Sequence, residues 1–91
     1  MNKTVTVEPV EGLTLEIDTA RLDDMELIDD LAELAGGNTL KLSGILRRFL
    51  GEENKRKLYD ALRNERGIVS STAANAALNR IFEQIGDGKK S

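Results

Sequence analysis

The chain has 91 residues, 40% of them apolar, which is enough for one small domain and too few for two. It holds no Cys, His or Trp; that excludes disulfides, Cys/His zinc sites and Ser-His or Cys-His catalysis, leaving hard-cation carboxylate sites and acid–base work by Asp, Glu, Lys or Tyr. The formal net charge of −3 hides a split: residues 1–39 carry ten acids and two bases, and residues 40–91 carry six acids and eleven bases.

Residues 1–19 read as a β hairpin or arm. Thr4-Val5-Thr6-Val7-Glu8 and Leu13-Thr14-Leu15-Glu16-Ile17-Asp18 both alternate with period two, and Pro9 and Gly12 bracket the turn between them. Val5 and Val7 would share one face, and Leu13, Leu15 and Ile17 another. An isolated hairpin is marginal in water, so helices or a partner chain must cover its apolar face.

Residues 20–86 read as a helical domain of four short helices. Asp23 or Asp24 caps the first, which runs to about Ala35. Met25, Ile28, Leu31, Leu34 and Ala35 mark its inward stripe with Leu27 on the flank, and Glu26, Asp29, Asp30 and Glu33 its wet face. Gly36-Gly37-Asn38 ends it. The second helix spans Leu40 to Leu50, with Leu42, Ile45, Leu46, Phe49 and Leu50 inward and Lys41, Arg47 and Arg48 outward. After Gly51 the third runs from about Glu52 to Arg63, with Leu58, Ala61 and Leu62 on one stripe and Tyr59 at its margin. Lys55, Arg56 and Lys57 form a basic turn on it. Ser70 or Ser71 caps the last helix, whose apolar residues are Ala73, Ala74, Ala77, Leu78, Ile81, Phe82 and Ile85, with Ile68 or Val69 placed to staple its start. Residues 87–91 read as a flexible tail. The fold class is therefore mainly α: a short N-terminal β hairpin or arm followed by a compact bundle of four short helices. No apolar run approaches the ~20 residues of a membrane span, and Met1 to Val5 has no signal-peptide character, so the expected compartment is a cytoplasm.

No residues converge on chemistry. The carboxylates from Asp23 to Asp30 lack the spacing of an EF-hand loop, and neither Gly36-Gly37 nor Gly51 sits in a phosphate-loop pattern. No catalytic residue, cofactor or metal site is expected. What remains is charge. Glu26, Asp29, Asp30 and Glu33 form an acidic helix face, and Arg47, Arg48, Lys55, Arg56 and Lys57 lie in a basic segment. The acidic helix of one copy could meet the basic segment of a neighbour.

Five phrases occur in order between residues 23 and 85. They are Asp24-Met25-Glu26-Leu27-Ile28-Asp29-Asp30-Leu31-Ala32-Glu33-Leu34, Leu46-Arg47-Arg48-Phe49-Leu50-Gly51-Glu52-Glu53, Leu58-Tyr59-Asp60-Ala61-Leu62-Arg63, Gly67-Ile68-Val69-Ser70 and Ala77-Leu78-Asn79-Arg80-Ile81-Phe82-Glu83. Their order and spacing resemble the small tail assembly chaperones of long-tailed phages and prophages of Gram-positive bacteria. The resemblance implies a mostly helical, non-enzymatic protein of the bacterial host cytoplasm. It would bind the tape measure protein before the tail tube polymerises around it; the charge split adds the expectation that copies self-associate during tail morphogenesis. In many such phages a longer form arises by programmed frameshifting.

Two other classes fit the same residues. A small DNA-binding regulator would use the basic helices between Lys41 and Arg66, but Glu52, Glu53, Asp60 and Glu65 interrupt that field and the total charge is acidic, so nucleic acid is the weaker expectation. An antitoxin-like inhibitor or interaction module would add its hairpin to a partner's sheet.

Overall fold

The computed structural model describes residues 4–88. An antiparallel hairpin of β1 (Thr4–Val10) and β2 (Leu13–Asp18) leads through a 3-10 turn, Thr19–Leu22, into α1 (Met25–Ala35). A second 3-10 turn, Thr39–Lys41, opens α2 (Leu42–Leu50), and α3 (Glu52–Leu62) and α4 (Ser71–Gly88) complete the chain. The molecule is thus a short N-terminal β hairpin followed by a bundle of helices. Among the described residues, no helix is long and apolar enough to cross a membrane.

The hairpin register sets Val5 opposite Ile17 and Val7 opposite Leu15. Residues directly opposed across a strand pair project to the same face. The two apolar sets expected on separate faces therefore form a single one, which buries Val7, Leu15 and Ile17. Between Val7 and Val10 two residues of β1 face one of β2, making a bulge. Pro9 lies in it with its side chain fully buried, at a position where a missing N–H removes no ladder bond.

Long-range side-chain amides hold the hairpin to the helices. Gln84 of α4 accepts from the Glu8 N–H at 2.6 Å and donates to the Glu8 carbonyl at 2.8 Å. One carboxamide thus does at β1 what a third strand's peptide would do. Arg80 donates to the Pro9 carbonyl at 3.3 Å, and Asn54 of α3 donates to the Glu16 carbonyl of β2 at 2.8 Å.

The helices start and stop for local reasons. Asp24 caps α1, its Oδ1 accepting from the N–H groups of Glu26 and Leu27. At the other end the Asn38 N–H reaches the Glu33 carbonyl and the Gly37 N–H reaches that of Leu34. This is a Schellman closure, and it needs the positive φ of 106° that Gly37 supplies. Gly51 both closes α2 and opens α3 at φ 89°, ψ 161°, a region open essentially only to glycine. Ser70 caps α4 through its Oγ, which accepts from the Ala73 N–H.

One core joins sheet and helices. Leu42, Ile45, Leu46, Phe49 and Leu50 of α2 are all buried, with Leu58 of α3 and Ala74, Ala77, Leu78, Ile81 and Ile85 of α4. The Phe49 and Phe82 rings stack at 5.3 Å between centroids, 5° from parallel. Among the described residues, every buried side-chain nitrogen and oxygen has a partner.

The inward stripe expected for α1 holds at Leu31 and Leu34 and fails at Met25, Ile28 and Ala35. Leu27 is fully buried and Leu31 and Leu34 are half-buried, whereas Met25 and Ile28 are 68% and 45% exposed and Ala35 is also outside. Each residue turns the helix by about 100°. On that wheel α1 has three sectors: Leu27, Leu31 and Leu34; Met25, Ile28, Ala32 and Ala35; and the acids Glu26, Asp29, Asp30 and Glu33. Either apolar sector satisfies a helical period. The core takes the sector of three leucines, the larger apolar set, and leaves the Met25 sector outside; in that rotation the acids lie within reach of Lys41 and Arg48. Smaller differences follow the same logic. Leu40 lies in the 3-10 turn rather than in α2, Ala61 is exposed, and Arg63 is the extended residue after α3. Residues 87 and 88 of the expected tail are the last of α4, and residues 89–91 lie outside the described residues.

Candidate interaction surfaces

The charge split is partly resolved within the chain. Arg48 of α2 donates through Nη1 to Asp24 Oδ2 at 3.0 Å and lies 3.3 Å from Glu26 Oε1. Lys41, at the start of α2, lies 3.6 Å from Asp30 and 3.5 Å from Glu33. Acids at the start of α1 thus meet the end of α2, and acids at its end meet the start of α2. The two helices run antiparallel, with the opposite charges between them. Arg48 holds the Asp24 carboxyl below the usual carboxylate range through its hydrogen bond, aided by the Leu27 and Glu26 N–H groups and opposed by partial desolvation. The same pairing raises Arg48 further.

Of the nine charged residues singled out from the sequence, Glu26, Asp30, Glu33 and Arg48 therefore have partners inside this chain. Arg47 pairs with Glu52 at 3.1 Å, and Lys57 with Glu53 at 3.5 Å, one turn earlier on α3. Lys55 donates to Ser43 Oγ at 3.0 Å and stands 5.3 Å from the centre of the Tyr59 ring, within cation–π range. Asp29 and Arg56 make no ion pair among the described residues. The neighbour-to-neighbour pairing expected from the sequence is thus left mainly to these two.

Two apolar surfaces were not singled out from the sequence. The first is the outward sector of α1, with Met25 and Ile28 at its head. The second is a shallow groove of about 250 Å³ where the Thr39–Lys41 turn, α3 and the start of α4 converge. Leu40 stands at it 90% exposed, and Leu42, Tyr59, Val69 and Ala74 line it. Tyr59 also borders a hollow of about 200 Å³ lined by Lys55, Arg56 and Arg63 with one acid, Glu52, so a mainly basic hollow lies on the other side of that ring. The local signal for Leu40 is its position two residues before Leu42. That is about 200° around a helix and off the inward stripe.

A further hollow, about 500 Å³, lies between the polar face of the hairpin and the start of α3, beside Arg21, Glu16, Glu52 and Lys57. Three acids (Glu16, Glu52 and Glu53) and two bases (Arg21 and Lys57) line it, a mixed field that favours no single ion. Among the described residues, no group of three or more carboxylates is placed to hold a metal ion. No protein family, curated protein or solved structure matches the chain.

Proposed function

We propose that this protein is a non-enzymatic phage tail assembly chaperone of the bacterial host cytoplasm, which binds the tape measure protein and self-associates during tail morphogenesis. The resemblance of residues 23–85 supplies the family. One structural observation supports the protein-binding class: a domain with a closed core leaves Met25, Ile28, Leu40 and Ile68 standing in water. Each of these would be hidden by a packed partner surface. The basic residues favour such a partner over nucleic acid, because Lys41, Arg47, Arg48, Lys57 and Arg63 already face carboxylates of their own chain.

The tape measure is a long helical client that must be kept soluble and later released into the tube. Many small copies, each making a modest contact, meet both needs, since repeated weak contacts add strength collectively while each remains displaceable. Co-expression of the full chain with the tape measure protein from the same genome tests the reading. A tape measure that is insoluble when expressed alone, and soluble and co-purifying when this chain is present, is expected. An insoluble or unaccompanied tape measure in the presence of this chain overturns it.

A further inference from the structure

We propose that the outward sector of α1 on one copy docks into the Leu40–Tyr59 groove of the next, a head-to-tail contact that repeats along an assembly. This names the self-association surface of the reading above and rests on it. Three observations point to a second copy as the occupant. The groove is apolar at Leu40, Leu42 and Val69 and basic beyond Tyr59, so it fits a helix with an apolar stripe and an acidic margin. The outward sector of α1 has that chemistry: Met25 and Ile28 are exposed, and Asp29 lies on the helix wheel beside them. Finally, Asp29 and Arg56 lack ion-pair partners among the described residues, and they lie on the two complementary surfaces.

A chain cannot fill its own groove. The pairs of Arg48 with Asp24 and of Lys41 with Asp30 fix α1 antiparallel to α2. Met25 and Ile28 thus lie towards the end of α2, and the groove lies at its beginning. The two surfaces differ from one another, so the contact is heterologous. Repetition gives a ring if the rotation closes and an open array if it does not.

Sedimentation of the full chain over a range of concentrations at low and high salt tests the contact. Concentration-dependent association that weakens with salt is expected. Met25→Ser with Ile28→Ser removes the α1 surface, and Leu40→Ser with Arg56→Glu removes the groove. All four positions are exposed, and an unchanged far-UV circular dichroism spectrum checks that the fold is kept. Each double variant should associate at least about tenfold more weakly than the parent, since two anchors are lost in each. Mixing the two should restore a one-to-one pair, because one retains the α1 surface and the other the groove. Three results overturn the proposal: a parent chain monomeric at low salt, a double variant that assembles like the parent, or a mixture that fails to pair. If the groove variant loses the tape measure protein while its self-association is unchanged, the groove belongs to that client and the proposal likewise falls. Co-purification of the tape measure is scored separately, so failure of this contact is distinguishable from failure of the functional reading.

Discussion

α1 and α2 lie antiparallel against one another and place their apolar residues differently. All five large apolar residues of α2 are buried, whereas α1 buries Leu27 fully, Leu31 and Leu34 partly, and leaves Met25 and Ile28 in water. The difference is in the pattern. On α2 the apolar residues occupy one sector and the bases Arg47 and Arg48 the other, so only one rotation buries the core. On α1 two apolar sectors compete; the three leucines of one go to the core, and the acids then reach Arg48 and Lys41. A helix with one apolar face is shaped by the core alone; a helix with two has a face left for something else.

The sharpest way to strain this comparison is to truncate one buried residue on each helix. Phe49→Ala removes the α2 ring stacked on Phe82 and should cost about 3–5 kcal/mol, and Leu27→Ala about 2–5 kcal/mol. Domains of this size are stable by only about 5–15 kcal/mol, so Phe49→Ala should remove a large share of the total and lower the urea midpoint markedly. Urea titration followed by circular dichroism gives both values. A Leu27→Ala loss below about 1 kcal/mol would mean that Leu27 is not the inward residue of α1.

The junction between α2 and α3 gives the next largest effect. Gly51 holds φ 89° and ψ 161°, and a Cβ there would also come within 3.0 Å of the Arg21 guanidinium. The side chain can swing away, so the backbone conformation dominates. Gly51→Ala should cost about 1–3 kcal/mol in the same titration. Gly44, in the first turn of α2 with open space around it, should accept Ala without loss.

These sites also mark what was legible in the sequence. The hairpin, the helix order and the buried stripe of α2 are local patterns that period and cap chemistry are enough to read, while the α1 cap is narrowed only to Asp23 or Asp24. The rotation of α1 is not local, because it depends on which sector meets the core after the chain has turned. The common face of the hairpin depends on strand register, which period two leaves open. The bond from Gln84 to Glu8 spans 76 residues and leaves no trace in either segment. The groove has the same origin: Leu40, Tyr59, Val69 and Ala74 come from four separate segments, each unremarkable by itself.

Acid should loosen the α1–α2 pairing in a defined direction. Asp24 is held below the usual carboxylate range when folded, chiefly by the Arg48 hydrogen bond, so the unfolded chain takes up its proton more readily. The stability it contributes is present above about pH 4 and is lost as pH falls through the folded value. Asn at this position keeps the helix cap but cannot ionise. The urea midpoint of the parent should therefore fall further than that of Asp24→Asn between pH 6 and about pH 3. Equal falls would place the acid sensitivity on other carboxylates.

The smallest effect on stability is the one that separates the two sectors of α1. Met25→Ser with Ile28→Ser removes two large apolar side chains from the same helix that carries Leu27, and should shift folding stability by no more than about 0.5 kcal/mol per site, because neither is in the core. Serine is a poorer helix former than Met and about equal to Ile, which accounts for a loss of that size without any lost packing. The measurement is made at low protein concentration and in moderate salt, where contacts between copies contribute least. A loss there as large as that of Leu27→Ala would mean that both sectors pack within one chain, and α1 would then have no apolar face left over for a partner.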